Sequence, residues 1–252
     1  MSNPSETPGA QNMRRALQVL RALGNHHEEG LSVSEVVAAT SLERSTAHRL
    51  LTCLVEERFA DRDAATRRYR LGLEAMRLGF ASLSRSPLLT RYEGVVQKLA
   101  RMSEDTVYLL LRQGDHTVCV RREDGAFPIK IFSTRVGDTR VLGVGVGGMA
   151  LLAAAPDDDI ARIRAQHAQA FDAAGLTPAR LEKVVTRTRR LGYSEMTDTV
   201  TQGVAGVGAV IPDPGGAPFA AISIASIKPR MTPSRRAELG AMLLEALREP
   251  AA

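Results

Sequence analysis

The chain predicts an α+β fold in two domains, a small helical head closed by a basic hairpin and a larger mixed body. Three observations carry this. At 252 residues it exceeds the usual size of one domain. Residues 13–71 read as three short helices followed by two strands around an arginine-rich turn. From residue 105 onward, β-rich runs in hairpin order are interspersed with helical patterns, an order that sets antiparallel strands side by side.

Hydrophobic residues make up 44% and charged residues 24%, values ordinary for a globular protein. The net charge of +5 favours an anionic partner. Its placement says more: residues 62–70 carry Arg62, Arg67, Arg68 and Arg70 against Asp63 alone. Cys53 and Cys119 have 65 residues between them and make neither a CxxC nor a Cys/His metal spacing. No disulfide framework, metal or cofactor is expected, and a reducing cytoplasm fits. The longest weakly polar run, residues 141–155, is shorter than the roughly 20 residues that a bilayer span requires. Residues 1–12 lack a basic start and apolar core, so a disordered tail is expected there rather than a secretory signal.

In the head, Ala16, Val19, Leu20 and Leu23 recur at helical spacing, predicting a first helix over about 14–23 that Gly24 and Asn25 stop. Ser32 with Glu35 forms an S-x-x-E capping box, which starts a second helix burying Val36 and Val37. After the polar Thr40-Ser41 turn, a third helix runs over roughly 43–58. There Ala47, Leu50, Leu51 and Leu54 form an apolar stripe. At about 100° per residue, Ser45, Arg49 and Thr52 fall opposite it, with Thr46 and His48 on the flanks. A leucine-backed helix that turns small donors and a guanidinium outward suits base edges and phosphates in a major groove. Residues 59–61 and 69–71 alternate as a short hairpin around Asp63 to Thr66, whose arginines would lie along the backbone or a minor groove. The plain alternative is a three-helix bundle with a hydrated polar face. The ordered succession of helix, turn, polar helix and basic hairpin favours DNA binding.

With those residues in view, LSVSEVVAATSLERSTAHRLLTCLVEERFADRDAATRRYRLG resembles the winged helix-turn-helix of the IclR family of bacterial transcriptional regulators. The S-T-x-H-R-L-L core (Ser45 to Leu51) and the closing Y-R-L-G (Tyr69 to Gly72) carry the likeness. The resemblance implies DNA contacts from Ser34, Arg44, Ser45, Thr46, His48, Arg49, Thr52, Arg67, Arg68 and Arg70. The chain departs from the pattern at Ser41 and Arg67, where the family usually has glycine, and at Glu43, where it usually has proline.

Leu73, Met76, Leu78, Phe80 and Leu83 continue helically, and residues 84–87 interrupt. A second helix then buries Leu88, Tyr92, Val95, Val96, Leu99 and Met102. By the resemblance, residues 72–86 form a linker helix that also helps to pair subunits, as a homodimer or homotetramer. Packing within one chain is the alternative.

The body begins with strands over 106–112 and 116–122 around Gly114-Asp115, then a third over 129–133. Helices follow at about 147–155, 157–170 and 178–191, the last capped by Thr177 and stopped by Gly192. Strands over 204–211 and 219–226 flank a Pro-Gly-Gly turn, and a final helix spans 233–247. Gly143 to Gly148 formally matches G-x-G-x-x-G, yet a dinucleotide site needs a βαβ unit and an acid about 20 residues on. Residues 162–168, RIRAQHA, hold none. Nor is there a Ser/His/Asp order, a carboxylate pair or a metal spacing nearby, so no enzyme is expected.

Glycines at 143–148 instead leave room for a ligand against backbone, and the helix start offers N–H groups to a carboxylate. A tight buried turn with no ligand is the competing account. LGVGVGGMALLAA (residues 142–154) and PFAAISIAS (residues 218–226) resemble the effector domain of the same family, a GAF-like α+β fold enclosing a small molecule. That domain would span 87–252. Its implied effector contacts are Gly143, Val144, Gly145, Val146, Gly147, Gly148, Met196, Val204, Gly206, Ser223 and Ala225. Gly143 and Gly145 replace a histidine and a hydroxyl residue. Met196 stands for an acid, Gly206 for a cysteine and Ala225 for a serine. The implied pocket is roomier and less polar than one for a two- or three-carbon keto acid, and suits a larger, partly apolar acid, aromatic for instance. A DNA-binding protein whose body only oligomerises is the alternative function.

Overall fold

The computed structural model describes residues 9–83, 87–211 and 219–248. Positions 1–8 of the expected tail, the interruption at 84–86, the side chain of Leu88 and the Pro-Gly-Gly turn lie outside the described residues. The chain divides into two compact units at residues 86 and 87.

The first unit orders α1 (Gln11–Asn25), α2 (Val33–Thr40), α3 (Arg44–Glu56), β1 (Ala60–Arg62), β2 (Tyr69–Leu71) and α4 (Leu73–Leu83). α1 begins at Gln11, so residues 11 and 12 are helical and not part of a tail. α2 starts on the capping box: Glu35 N–H donates to Ser32 Oγ at 3.3 Å, and Ser32 N–H donates to Glu35 Oε2 at 2.7 Å. Val19, Leu23, Val36, Ala47 and Leu51 are sealed from solvent between the three helices. Each fully buried Leu or Val contributes roughly 1.5–3 kcal/mol, and that packing fixes how α3 is rolled. β1 and β2 pair antiparallel from Ala60↔Leu71 to Arg62↔Tyr69. A two-bond bridge between Leu31 and Tyr69 (2.7 and 2.9 Å) ties the hairpin to the residue just before the α2 cap.

Two departures from the family pattern become backbone facts. Ser41, the C-cap of α2, has φ +55°, and Arg67 in the hairpin turn has φ +56°. Both sit in the left-handed region, where a Cβ crowds the carbonyl and glycine does not.

The second unit orders α5 (Pro87–Ser103), β3 (Thr106–Gln113), β4 (His116–Glu123), β5 (Thr139–Val141), α6 (Val146–Ala153), α7 (Asp157–Gln166), α8 (Ala168–Ala173), α9 (Pro178–Leu191), β6 (Ser194–Thr197), β7 (Val204–Val210), β8 (Ala220–Ile227) and α10 (Pro233–Arg248). Its sheet runs β5-β4-β3-β8-β7-β6, every pairing antiparallel. Strand alternation sorts the two faces. Val107, Leu109, Val207, Ile222 and Ile224 form one core with Tyr92, Val96 and Leu99 of α5 and Leu239 and Leu243 of α10. Toward the other face, Met196 and Ala221 join a core made with α6 to α9, while Tyr108, Leu110, Cys119 and Ala225 cluster with Ile131.

Four expectations need correction. Residues 129–133 are not a strand, because β5 takes the free edge of β4. Side chains hold that segment instead: Tyr108 Oη donates to Ile131 O at 2.6 Å, and Ile131 N–H donates to Thr106 Oγ1 at 3.4 Å. Ile129 and Phe132 face solvent. The single helix over 157–170 breaks at His167, whose ring meets Asp115 at 3.4 Å and stacks edge-on to His116. Met102 is 55% exposed; it rides above half-buried Val95 in the last turn of α5, at the margin of the stripe. β5 and β6 are strands that the alternation pattern did not single out.

Replacing Ser41 or Arg67 by glycine removes a left-handed penalty of about 1–2 kcal/mol and adds about 0.5–1 kcal/mol of unfolded-chain entropy. Each change is expected to stabilise the first unit by roughly 0.5–1 kcal/mol, measured by urea unfolding followed by far-UV circular dichroism. A loss of stability would contradict this reading of the two turns.

Candidate functional site

The first unit presents a polar face along α3. With Ala47, Leu51 and Leu54 buried, Arg44, Ser45, His48, Arg49 and Thr52 are exposed and Thr46 is half-buried. Ser34 on α2 joins them: it is exposed and accepts a hydrogen bond from Arg44 Nη1 at 3.0 Å. Thr52 Oγ1 donates back to His48 O at 3.0 Å, which fixes its rotamer on the helix surface.

The hairpin turn is built by Asp63, whose Oδ1 accepts from Ala65 N–H, Thr66 N–H and the Thr66 hydroxyl at 2.6–3.0 Å. Those bonds, the Thr66 amide foremost, hold the Asp63 carboxyl below its usual range. Arg62, Arg67 and Arg70 stand exposed around it. Arg68 does not. Its Nε reaches Glu29 O at 2.9 Å, and its Nη2 reaches Gly30 O at 2.9 Å and Glu35 Oε1 at 3.0 Å. The expectation that Arg68 lies along a nucleic-acid backbone is therefore corrected. Its guanidinium locks the hairpin to the loop before α2 and to the capping-box glutamate. The Ser32 backbone N–H, the Ser32 hydroxyl and then Arg68 hold Glu35 down to about 2.

The second unit contains a cavity of about 70 Å³ in its enclosed part, opening on one side into solvent. Tyr108 and Leu110 of β3, Ser223 and Ala225 of β8, and Val204 and Gly206 of β7 line it on the sheet side. The start of α6 forms one wall through Val144, Gly145, Val146, Gly147 and Gly148, and Met196 with residues 199–201 forms another. Ten of the eleven expected effector positions thus border one space. Gly143 does not: at φ +96° it turns toward the core, where a Cβ would lie 2.6 Å from Leu152 and 3.0 Å from Phe171. The N–H groups of the first α6 turn have no acceptor within their own helix.

Glycines bring α6 onto the sheet. A Cβ on Gly208 would lie 2.8 Å from Gly147 N and from the Val146 carbonyl, and one on Gly206 would lie 3.3 Å from Val146 Cγ2 as well as 2.6 Å from Ile224 O of the neighbouring strand. Ser194 Oγ staples the contact by donating to Val146 O at 2.5 Å. Sequence reasoning did not reach the rim formed by Ser133, Thr134, Asp138 and Arg140. It lies in and beside a three-residue strand with no alternation to flag it. Tyr108, Leu110 and Thr117, by contrast, were recoverable from strand parity.

Comparison with known proteins places both units. A family model described as the IclR helix-turn-helix domain matches residues 13–64, and one described as the bacterial transcriptional regulator IclR C-terminal matches residues 80–252. The glycerol operon regulatory protein of Streptomyces coelicolor is 30% identical over 242 residues, covering 95% of this chain and 92% of that protein. The transcriptional repressor IclR of Escherichia coli is 26% identical over 247 residues, covering 96% and 89%. Among solved structures, an IclR transcriptional regulator from Alicyclobacillus acidocaldarius superposes with a TM-score of 0.80 at 18% identity, covering 96% of each chain. An IclR homologue from Microbacterium hydrocarbonoxydans, complexed with 4-hydroxybenzoate, gives 0.68 at 18% identity and covers 94% of this chain and 99% of that one. At those identities the structures establish the fold.

Because Arg68 bonds inward, Arg68→Ala is expected to lower the stability of the first unit by about 1–2 kcal/mol, measured by chemical denaturation. An unchanged midpoint would return Arg68 to the surface. Glu35 has a depressed folded value, so its contribution is present above about pH 4.5 and fades as pH falls toward about 2. Glu35→Gln should flatten stability against pH within that window, and an unaltered profile would contradict the assignment.

Proposed function

The chain belongs to the IclR family of bacterial transcriptional regulators, and from that premise we propose that it controls a catabolic operon in response to a small organic acid, aromatic in character. Its helix-turn-helix is the DNA-binding part, and the reading is of a homo-oligomer whose two heads meet half-sites about one helical turn apart. The observation that carries the DNA reading is the exposed α3 face from Arg44 through Thr52, with leucines sealed behind it. In a major groove Arg49 would fork onto a guanine, Ser45 and Thr46 would bond near the helix start, and Arg67 and Arg70 would meet phosphates from the hairpin.

The cavity supports the effector reading. Leu110, Val144, Val146, Met196, Val200 and Val204 give it an apolar lining, Ser223 adds a hydroxyl, and the α6 start offers N–H groups to a carboxylate. Such a lining offers an aromatic ring more apolar contact than it offers a two-carbon keto acid. The complex of the Microbacterium homologue with 4-hydroxybenzoate lies in the same chemical class. An effector acts only through its differential affinity for two arrangements of the regulator. A body that merely oligomerises has no need of such a space.

Arg49→Ala is expected to cost about 1–3 kcal/mol at one base pair of the operator. Arg70→Ala should weaken all sequences alike and reduce the slope of log affinity against log salt by about 0.9. Gel-shift titrations at several salt concentrations check both, and wild-type behaviour of both variants would remove the interface. Thermal-shift screening should rank aromatic acids above glyoxylate. The reverse order would overturn the effector class.

A further inference from the structure

Arg140 stands apart from the other arginines near the sheet edge. Arg121 is matched by Glu93 at 2.9 Å and by Glu123, and Arg122 by both oxygens of Asp124 at 2.8 and 2.9 Å. Arg140, half-buried on β5, has no carboxylate in ion-pair range among the described residues. Its Nη2 donates to Ser133 O, and its Nε is buried without a protein acceptor. Buried Nε atoms also occur on Arg121 and Arg122, but those guanidinium groups already face counter-charges. Arg140 is also the one cation lining the cavity among the described residues. The one lining acid, Asp138, accepts the Arg135 N–H through Oδ2 at 2.8 Å.

A half-buried guanidinium without a counter-ion bears a desolvation cost that a carboxylate repays, and its planar fork matches a carboxylate better than any neutral group. The register explains why it addresses the cavity: Arg140 pairs with Thr117 across β4, and the Thr117 side chain both lines the cavity and lies beside Gly148 at the start of α6. Both charged lining residues sit on this rim, while the opposite rim of Met196, Thr199, Val200 and Thr201 is neutral.

We propose that Arg140 is the specificity-determining residue of the cavity: its guanidinium takes the carboxylate of the effector at the β5 rim and directs the apolar part toward Met196, Val200 and Val204. The proposal rests on reading the cavity as the effector site, and it fixes both the required charge and the orientation.

The test pairs an acid with a neutral isostere, benzoate with benzamide, by calorimetric titration of the full chain. Wild type is expected to bind benzoate at least about 10-fold more tightly than benzamide. Arg140→Gln should weaken benzoate about 10- to 100-fold, as expected for losing charge-assisted hydrogen bonds, and leave benzamide within about threefold. Arg140→Lys, which keeps the charge and loses the fork, should fall between and serves if the glutamine variant does not fold. An intact benzoate preference in both variants would overturn the role of Arg140 alone. Equal weakening of both ligands would make Arg140 a support for Ser133 and not a reader of charge. Wild type binding neither ligand would sink the aromatic-acid reading, and this proposal with it.

Discussion

The second unit depends on one contact, the seating of α6 directly on β7. Gly208 supplies no side chain there, and the Val146 carbonyl and Gly147 amide occupy the space that its Cβ would fill. Ser194 clamps the near end of α6 through Val146 O. Arg189 caps its far end by donating to Ala153 O at 2.7 Å and Ala155 O at 2.9 Å. Held at both ends, the helix keeps its first turn at the cavity wall while its remaining residues bury against α7 to α9. A substitution that lifts the helix by an ångström would change the cavity and the core together, because packed interiors relax only in part.

The first unit applies the same logic with different chemistry. Its core is small, and polar fastenings supplement it: the Ser32–Glu35 box, the Leu31–Tyr69 bridge and the Arg68 clamp converge on one loop between α1 and α2. Those fastenings fix the hairpin against the helices and leave α3 with leucines inside and Arg49, His48 and Ser45 outside. Rigidity behind the reading face matters because base-edge hydrogen bonds tolerate little positional error.

Much of this was legible in the sequence wherever a local rule decided the outcome. Ser32 and Glu35 fixed the start of α2, Thr177 and Gly192 bounded α9, and the leucine period gave the roll of α3. Reading failed where tertiary partners decide. Residues 129–133 have strand-like composition but lose their ladder to β5. Arg68 belongs to a basic run, yet two backbone carbonyls and Glu35 within reach turn it inward. The helix over 157–170 breaks at His167, whose ring meets Asp115, a residue 52 positions away. For the cavity, the glycine pattern pointed to the α6 start, whereas Arg140 carries no signal of its own in a three-residue strand.

The shape of the cavity depends most directly on the close approach between α6 and β7. Placing a methyl group there by Gly208→Ala presses on backbone atoms that have no cheap displacement. In the full chain, calorimetric titration with an aromatic acid should then give little or no heat of binding, while affinity for DNA from upstream of its own gene stays near wild type. Undiminished acid binding by that variant would contradict the claim that this contact shapes the cavity.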